Sequence, residues 1–265
     1  PELKGISHFI EHMVFKGTGR RSARDIAEEI DNVGGQLNAF TGKECTCYYA
    51  KVLNSHMELA FDILSDMLFC SEFSDLEIDK EKNVICEEIN MYEDTPEEIV
   101  HDIYASNVFK HHPLGFPVLG DLETVMTIKR SDILEYLREN YRPDNTVISV
   151  AGNVKYKDIE KLALKYFSDW GDRDNKSIST AAPSLTFECN IKQKDTEQVH
   201  FCLGFKGLDQ KDQKLYSFLA LNNLLGGGMS SRLFQRVREE LGLVYSIYSY
   251  TSTSTDVGLM TNYAG

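Results

Sequence analysis

The chain has 265 residues, 42% of them hydrophobic and 26% charged, with a net charge of −13 at pH 7. That is length enough for one large domain or two smaller ones with real cores, at an ordinary globular composition. The acidic balance argues against nucleic acid as the main partner and suits a basic peptide, and no apolar run reaches the about 18 residues that would suggest a membrane span.

In chain order, residues 4–16 read as a helix carrying His8-Phe9-Ile10-Glu11-His12. On a helix, His8 and His12 project from one face a turn apart, a spacing that lets two imidazoles share one zinc ion. Glu11 lies on nearly the same face, where it could take a proton from zinc-activated water. The order His-x-x-Glu-His is the inverse of the commoner zinc helix, and it also suits a plain amphipathic helix. A second helix, Arg24 to Asn32, is expected to close at Gly34-Gly35. Two strands follow, Gln36 to Thr41 and Cys45 to Leu53, broken at Gly42-Lys43 as a hairpin. Helical periodicity returns at 56–70 and 75–92. Thr95-Pro96-Glu97-Glu98 reads as a capped helix start, with Thr95 as N-cap and Glu98 at the capping-box position, and that helix runs to about Phe109.

After a Pro/Gly loop at 112–117, a helix is expected near 131–140, a strand from Thr146 to Ala151 and a helix from Tyr156 to Phe167. The polar stretch Ser168 to Ser184 is the best domain boundary. It suggests a first domain at 1–170, a linker at 171–184 and a second domain from 185 to 265. The second domain reads as strand to Phe205, helix 211–225, the turn Gly226-Gly227-Gly228 explained by a need for positive φ, helix 231–241, and strands 244–252 and 257–263. The expected class is α+β, mainly antiparallel sheet covered by helices on one face. Six cysteines are scattered without metal-ligand or disulfide-framework spacing, and are expected to be reduced and mostly buried. Both ends read as cut from a longer chain, so any targeting segment lies outside these residues.

Two histidines and a water leave zinc one protein ligand short. On the helix at 75–92, Glu81, Val84, Ile85, Glu88 and Tyr92 form one stripe, with Glu87 turned about 100° from Glu88. A carboxylate facing a core is costly unless paired or on a metal. Glu88 is therefore the candidate third ligand, and Glu81 could orient a ligand or hold the reacting water. His101, His111 and His112 are read as structural or exposed.

The segment from Gly5 to Thr18, with Gly35-Gln36-Leu37-Asn38-Ala39-Phe40-Thr41, Met91 to Pro96 and Leu225 to Phe234, resembles the pitrilysin and mitochondrial-processing-peptidase family of inverted-zincin metallopeptidases over nearly the whole chain. Glu88, 76 residues after His12, matches that family's third ligand and Glu81 its additional acidic position. The resemblance implies an endopeptidase of two related halves, here a truncated bacterial-type member with an incomplete second half. It implies one zinc per chain on His8, His12 and Glu88, Glu11 as general base, and Asn38, Ala39, Phe40 and Thr41 as an edge strand that takes an extended peptide by β-augmentation. It further implies Arg238 and Tyr245 steadying the substrate carbonyl, and Glu98 and Asp102 reading a basic side chain. Expected partners are short or unfolded peptides, basic ones by the charge balance, and a second subunit in a homodimer or in a heterodimer with a related chain. The expected compartment is a bacterial cytoplasm, with a mitochondrial matrix as the alternative. A non-catalytic peptide-binding or assembly subunit of the same fold is the rival reading, against which the intact His8, Glu11, His12 and Glu88 weigh.

Overall fold

The computed structural model describes residues 3–170 and 182–265. These form two compact units, one of residues 3–89 with 118–170 and the other of residues 90–117 with 182–265. Residues 171–181 of the expected linker lie outside the described residues.

In the first unit, α1 (Ile6–Met13) owes its setting to four apolar residues. At about 100° per residue, Ile6, Phe9, Ile10 and Met13 span one arc of the helix, and all are buried. The chain enters α1 through Gly5 at φ 83°, where a Cβ would sit 2.5 Å from the Leu119 carbonyl oxygen, so only glycine fits. The next helix, α2 (Ala23–Asp31), begins with a Ser22–Asp25 capping box. The hairpin β1 (Gln36–Thr41) and β2 (Thr46–Lys51) pairs antiparallel, with Asn38 opposite Tyr49 and Thr41 opposite Thr46. Helices α3 (Met57–Cys70) and α4 (Asp75–Glu93) follow, and α6 (Leu122–Thr127), α7 (Arg130–Asn140) and α8 (Tyr156–Phe167) complete the unit. Phe9, Ile10, Ile26, Ile63, Met67, Ile85, Val125, Ile128 and Ile133 share one core.

The second unit begins near the end of α4 and contains α5 (Pro96–Val108) and α9 (Leu215–Gly226). It also holds a three-stranded antiparallel sheet of β3 (Phe201–Lys206), β4 (Ile247–Thr253) and β5 (Gly258–Ala264), in the order β3-β5-β4. The central strand β5 is the most buried. His101 on α5 is a structural residue: its two ring nitrogens bond the Tyr250 and Tyr248 hydroxyls at 2.8 and 3.0 Å.

Several expectations are corrected. Thr146 to Ala151 forms no strand: its backbone is extended at Thr146, but among the described residues no partner ladder exists to make it one. The sheet begins at Phe201, and residues 182–200 form no strand. Thr95 gives α5 no side-chain cap, because its hydroxyl donates back to the Met91 carbonyl at the end of α4. None of Gly226, Gly227 and Gly228 has positive φ. Close approach explains two of them, a Cβ at Gly226 falling 2.5 Å from Ser249 N and one at Gly227 falling 2.5 Å from Asn223 Oδ1. Residues 234–240 wind as a π-helix. No cysteine is fully buried: Cys45, Cys70 and Cys189 are exposed and Cys47, Cys86 and Cys202 half-buried, all as free thiols.

Candidate active site

The apolar arc of α1 decides where its polar residues go. His8, Glu11 and His12 fall about 110–150° from the centre of Ile6, Phe9, Ile10 and Met13. His8 is itself buried and its ring meets that of His12 edge to face, with centroids 4.5 Å apart. On α4 the buried arc is centred on Ile78, Ile85 and Ile89, with Glu81 at its border and Glu88 half-buried beside it. Val84, expected in the core, falls off that arc and is exposed.

His8, His12 and Glu88 offer ligand atoms that all lie within 4.8 Å of one another. The Nε2 atoms of His8 and His12 are each 3.7 Å from Glu88 Oε2. A tetrahedral zinc with bonds of about 2.0–2.2 Å separates its ligands by about 3.3–3.5 Å, so a small closure would seat it. Glu81 fixes the tautomer of His12. Its Oε1 is 2.8 Å from His12 Nδ1, and a carboxylate can only accept, so Nδ1 carries a hydrogen and, in the neutral ring, Nε2 has the lone pair. That lone pair then faces the Glu88 carboxylate, two acceptors opposed, an arrangement that a cation between them would satisfy. His8 Nδ1 is a further buried nitrogen, with no hydrogen-bond partner among the described residues. Burial, and then the neighbouring His12, push the His8 pKa down to about 4, which keeps its imidazole neutral at physiological pH. These residues fit a divalent zinc.

Glu81 is 3% exposed and its other oxygen is 2.6 Å from Lys16 Nζ. Burial pushes its pKa up, but the bonds from His12 and Lys16 outweigh this and hold it ionised. Lys16 went unnoticed in the sequence, although it lies four residues after His12, within reach of the same neighbour. Glu11 accepts a hydrogen bond from the Thr41 hydroxyl, also unforeseen.

The structure thus brings His8, Glu11, His12, Thr41, Glu81 and Glu88 together in the first unit. Asn38, Ala39 and Phe40 lie on β1, whose second edge is unpaired among the described residues. Asn38 and Phe40 are exposed, and Asn38 Oδ1 accepts from the Ala39 amide. The remaining four belong to the second unit. Glu98 is exposed and Asp102 half-buried, a turn apart on α5. Arg238 Nε donates to the Tyr245 carbonyl at 2.8 Å, and its guanidinium sits 4.7 Å over the Phe234 ring and 5.9 Å from the Tyr245 ring.

Two family models match this chain. Insulinase (peptidase family M16) matches residues 1–122, and the peptidase M16 inactive domain matches residues 127–265. The chain belongs to peptidase family M16. It is 50% identical over its whole length to the uncharacterized zinc protease YmxG of Bacillus subtilis, of which it spans 64%. Over its whole length it is also 43% identical to an uncharacterized zinc protease of Streptomyces coelicolor, of which it spans 59%. A protease from Helicobacter pylori shares the M16 fold with a TM-score of 0.93 at 22% identity, over 100% of this chain and 65% of that one. A peptidase M16 inactive domain from Pseudomonas fluorescens does so with a TM-score of 0.86 at 19% identity, over 99% and 64%. This M16 chain is α+β with small antiparallel sheets, as its residues imply, and no helix among its described residues is long and apolar enough to cross a membrane.

Proposed function

We propose that the protein is a zinc-dependent endopeptidase that cuts short or unfolded peptides. The observation that carries this is the convergence of His8, His12 and Glu88, with the His12 tautomer set by Glu81 and a carboxylate, Glu11, on the same helix. Bound by these three residues, zinc would polarise the scissile carbonyl and make water acidic enough to attack near neutral pH. Glu11 accepts the water's proton as the carbon–oxygen bond forms, and returns it to the amine as the carbon–nitrogen bond breaks. The free edge of β1 at Asn38 to Thr41 holds the substrate main chain by β-augmentation, largely blind to side chains. The roles implied for Arg238 and Tyr245 on the carbonyl, and for Glu98 and Asp102 on a basic side chain, are part of the same proposal. So are a dimer, with itself or a related subunit, and a bacterial cytoplasmic location, supported by bacterial relatives.

The test is zinc content and peptide cleavage by the full-length protein. Parent protein should hold about one zinc per chain. Glu11→Gln should keep zinc and lose cleavage, whereas His12→Ala should lose both. Cleavage retained by Glu11→Gln overturns the mechanism. The rival is a non-catalytic binding subunit of the same fold, raised by the inactive-domain name of the model that matches residues 127–265. Full zinc with a peptide bound but never cut would establish that rival.

A further inference from the structure

Glu11 is held from behind by a line of hydroxyls within the first unit. Thr41, at the end of β1, donates its hydrogen to Glu11 Oε2. A threonine hydroxyl has one hydrogen to give. The Thr46 hydroxyl lies 3.3 Å away, where the hairpin register places it directly opposite Thr41. Thr46 in turn hydrogen-bonds Tyr141. The Tyr48 hydroxyl lies 2.8 Å from that of Tyr141 and is hydrogen-bonded to it. The hydroxyls of Thr46, Tyr141 and Tyr48 thus continue behind Thr41 as one group. Burial pushes the Tyr48 phenol far up and that of Tyr141 up to about 12, so both stay protonated.

We propose that Thr41 is a positioning residue for Glu11: it occupies Oε2, leaves Oε1 to take the proton of the attacking water, and is itself locked by Thr46, Tyr141 and Tyr48. The inference rests on the peptidase reading above and sharpens it. It gives the Thr41 side chain a task distinct from its main chain, which remains in the edge strand. Asn38 and Phe40 lie on the opposite, exposed face of that strand.

The experiment uses the full-length, zinc-loaded protein with an unstructured peptide, and two substitutions. Thr41→Val keeps the shape and removes the hydroxyl, whereas Thr41→Ser keeps the hydroxyl. Thr41→Val should lower kcat about 10–100-fold with KM and zinc content unchanged, because a misplaced general base forfeits much of its effect. Thr41→Ser should stay within about threefold of the parent. A rise in KM at unchanged kcat in Thr41→Val would make Thr41 a substrate contact, and equal losses in both variants would make it a shape requirement. Either result overturns the proposal. Crystal structures of the parent and Thr41→Val give a readout apart from activity. The Glu11 carboxylate should swing or split in the variant, and an unmoved carboxylate overturns the proposal. If the parent cuts no peptide at all, the peptidase reading fails, while the position of Glu11 in the two structures still decides for or against Thr41.

Discussion

Glu81 sets the chemistry of His12. By accepting the Nδ1 hydrogen it presents the Nε2 lone pair to Glu88, and Lys16 keeps Glu81 charged. Replacement by glutamine leaves the shape but removes the ionised acceptor. Glu81→Gln should therefore weaken zinc binding about 10–100-fold, the usual effect of losing a ligand's hydrogen-bond partner, as read by competition with a chromophoric chelator. Unchanged affinity would leave Glu81 as a salt bridge to Lys16 and nothing more. The carboxylates of α4 were legible in the sequence because a charged residue on a core-facing stripe needs a reason. Thr41 was legible only as a strand residue, since nothing in a threonine's neighbours along the chain reveals a carboxylate 30 residues earlier. The hydroxyl pairing exists only once α1 and β1 are packed.

Among the elements, α1 depends on its entry and on what pins the loop after it. Gly5→Ala forces a side chain at φ 83° against the Leu119 carbonyl, and should destabilise the fold by more than about 1 kcal/mol in chemical denaturation. The segment between α1 and α2 is tied to α3 by ions. Thr18, Arg20 and Arg21 all bond Asp66, whose side chain is fully buried, and both arginines also bond Asp62. Burial pushes both carboxyls up, but these bonds, those of Arg21 foremost, bring their pKa values below the ordinary range. An unfolded aspartate titrates near 3.9, above the folded values, so on acidification the unfolded chain takes up protons first. The stability from this network is thus complete above about pH 5 and is lost as pH falls through the lowered folded pKa values. Asp66→Asn should cost about 3 kcal/mol at pH 7 and flatten the acid limb of a stability-against-pH curve. An acid limb as steep as the parent's would show that other carboxylates govern acid unfolding. Helix and strand periodicity sufficed to place α1 to α5 and the hairpin. The stretch at 146–151 misled because alternation describes a face, whereas a strand exists only where a neighbour completes its ladder.

Across the whole chain, the candidate ligands come from α1 and α4, 76 residues apart, and converge only in the folded first unit. Zinc should therefore bind the native state and scarcely the unfolded one. At about 100 times its Kd this adds about 2.7 kcal/mol, which for a chain of this size should raise Tm by roughly 5–10 °C. Glu88→Gln should abolish most of that shift in calorimetry, and an equal shift would place the metal elsewhere. By itself the sequence determined the family, the α+β class and the candidate metal and base residues, because helical spacing alone sets His8, Glu11 and His12 on one face and a core-facing carboxylate declares itself. The tertiary structure alone decided which nitrogen of His12 is free, that Lys16 holds Glu81, that Thr41 holds Glu11, and why Gly226 must lack a side chain. Those are contacts between groups distant along the chain, and hydrogen-bond direction and steric room have no signature in local periodicity.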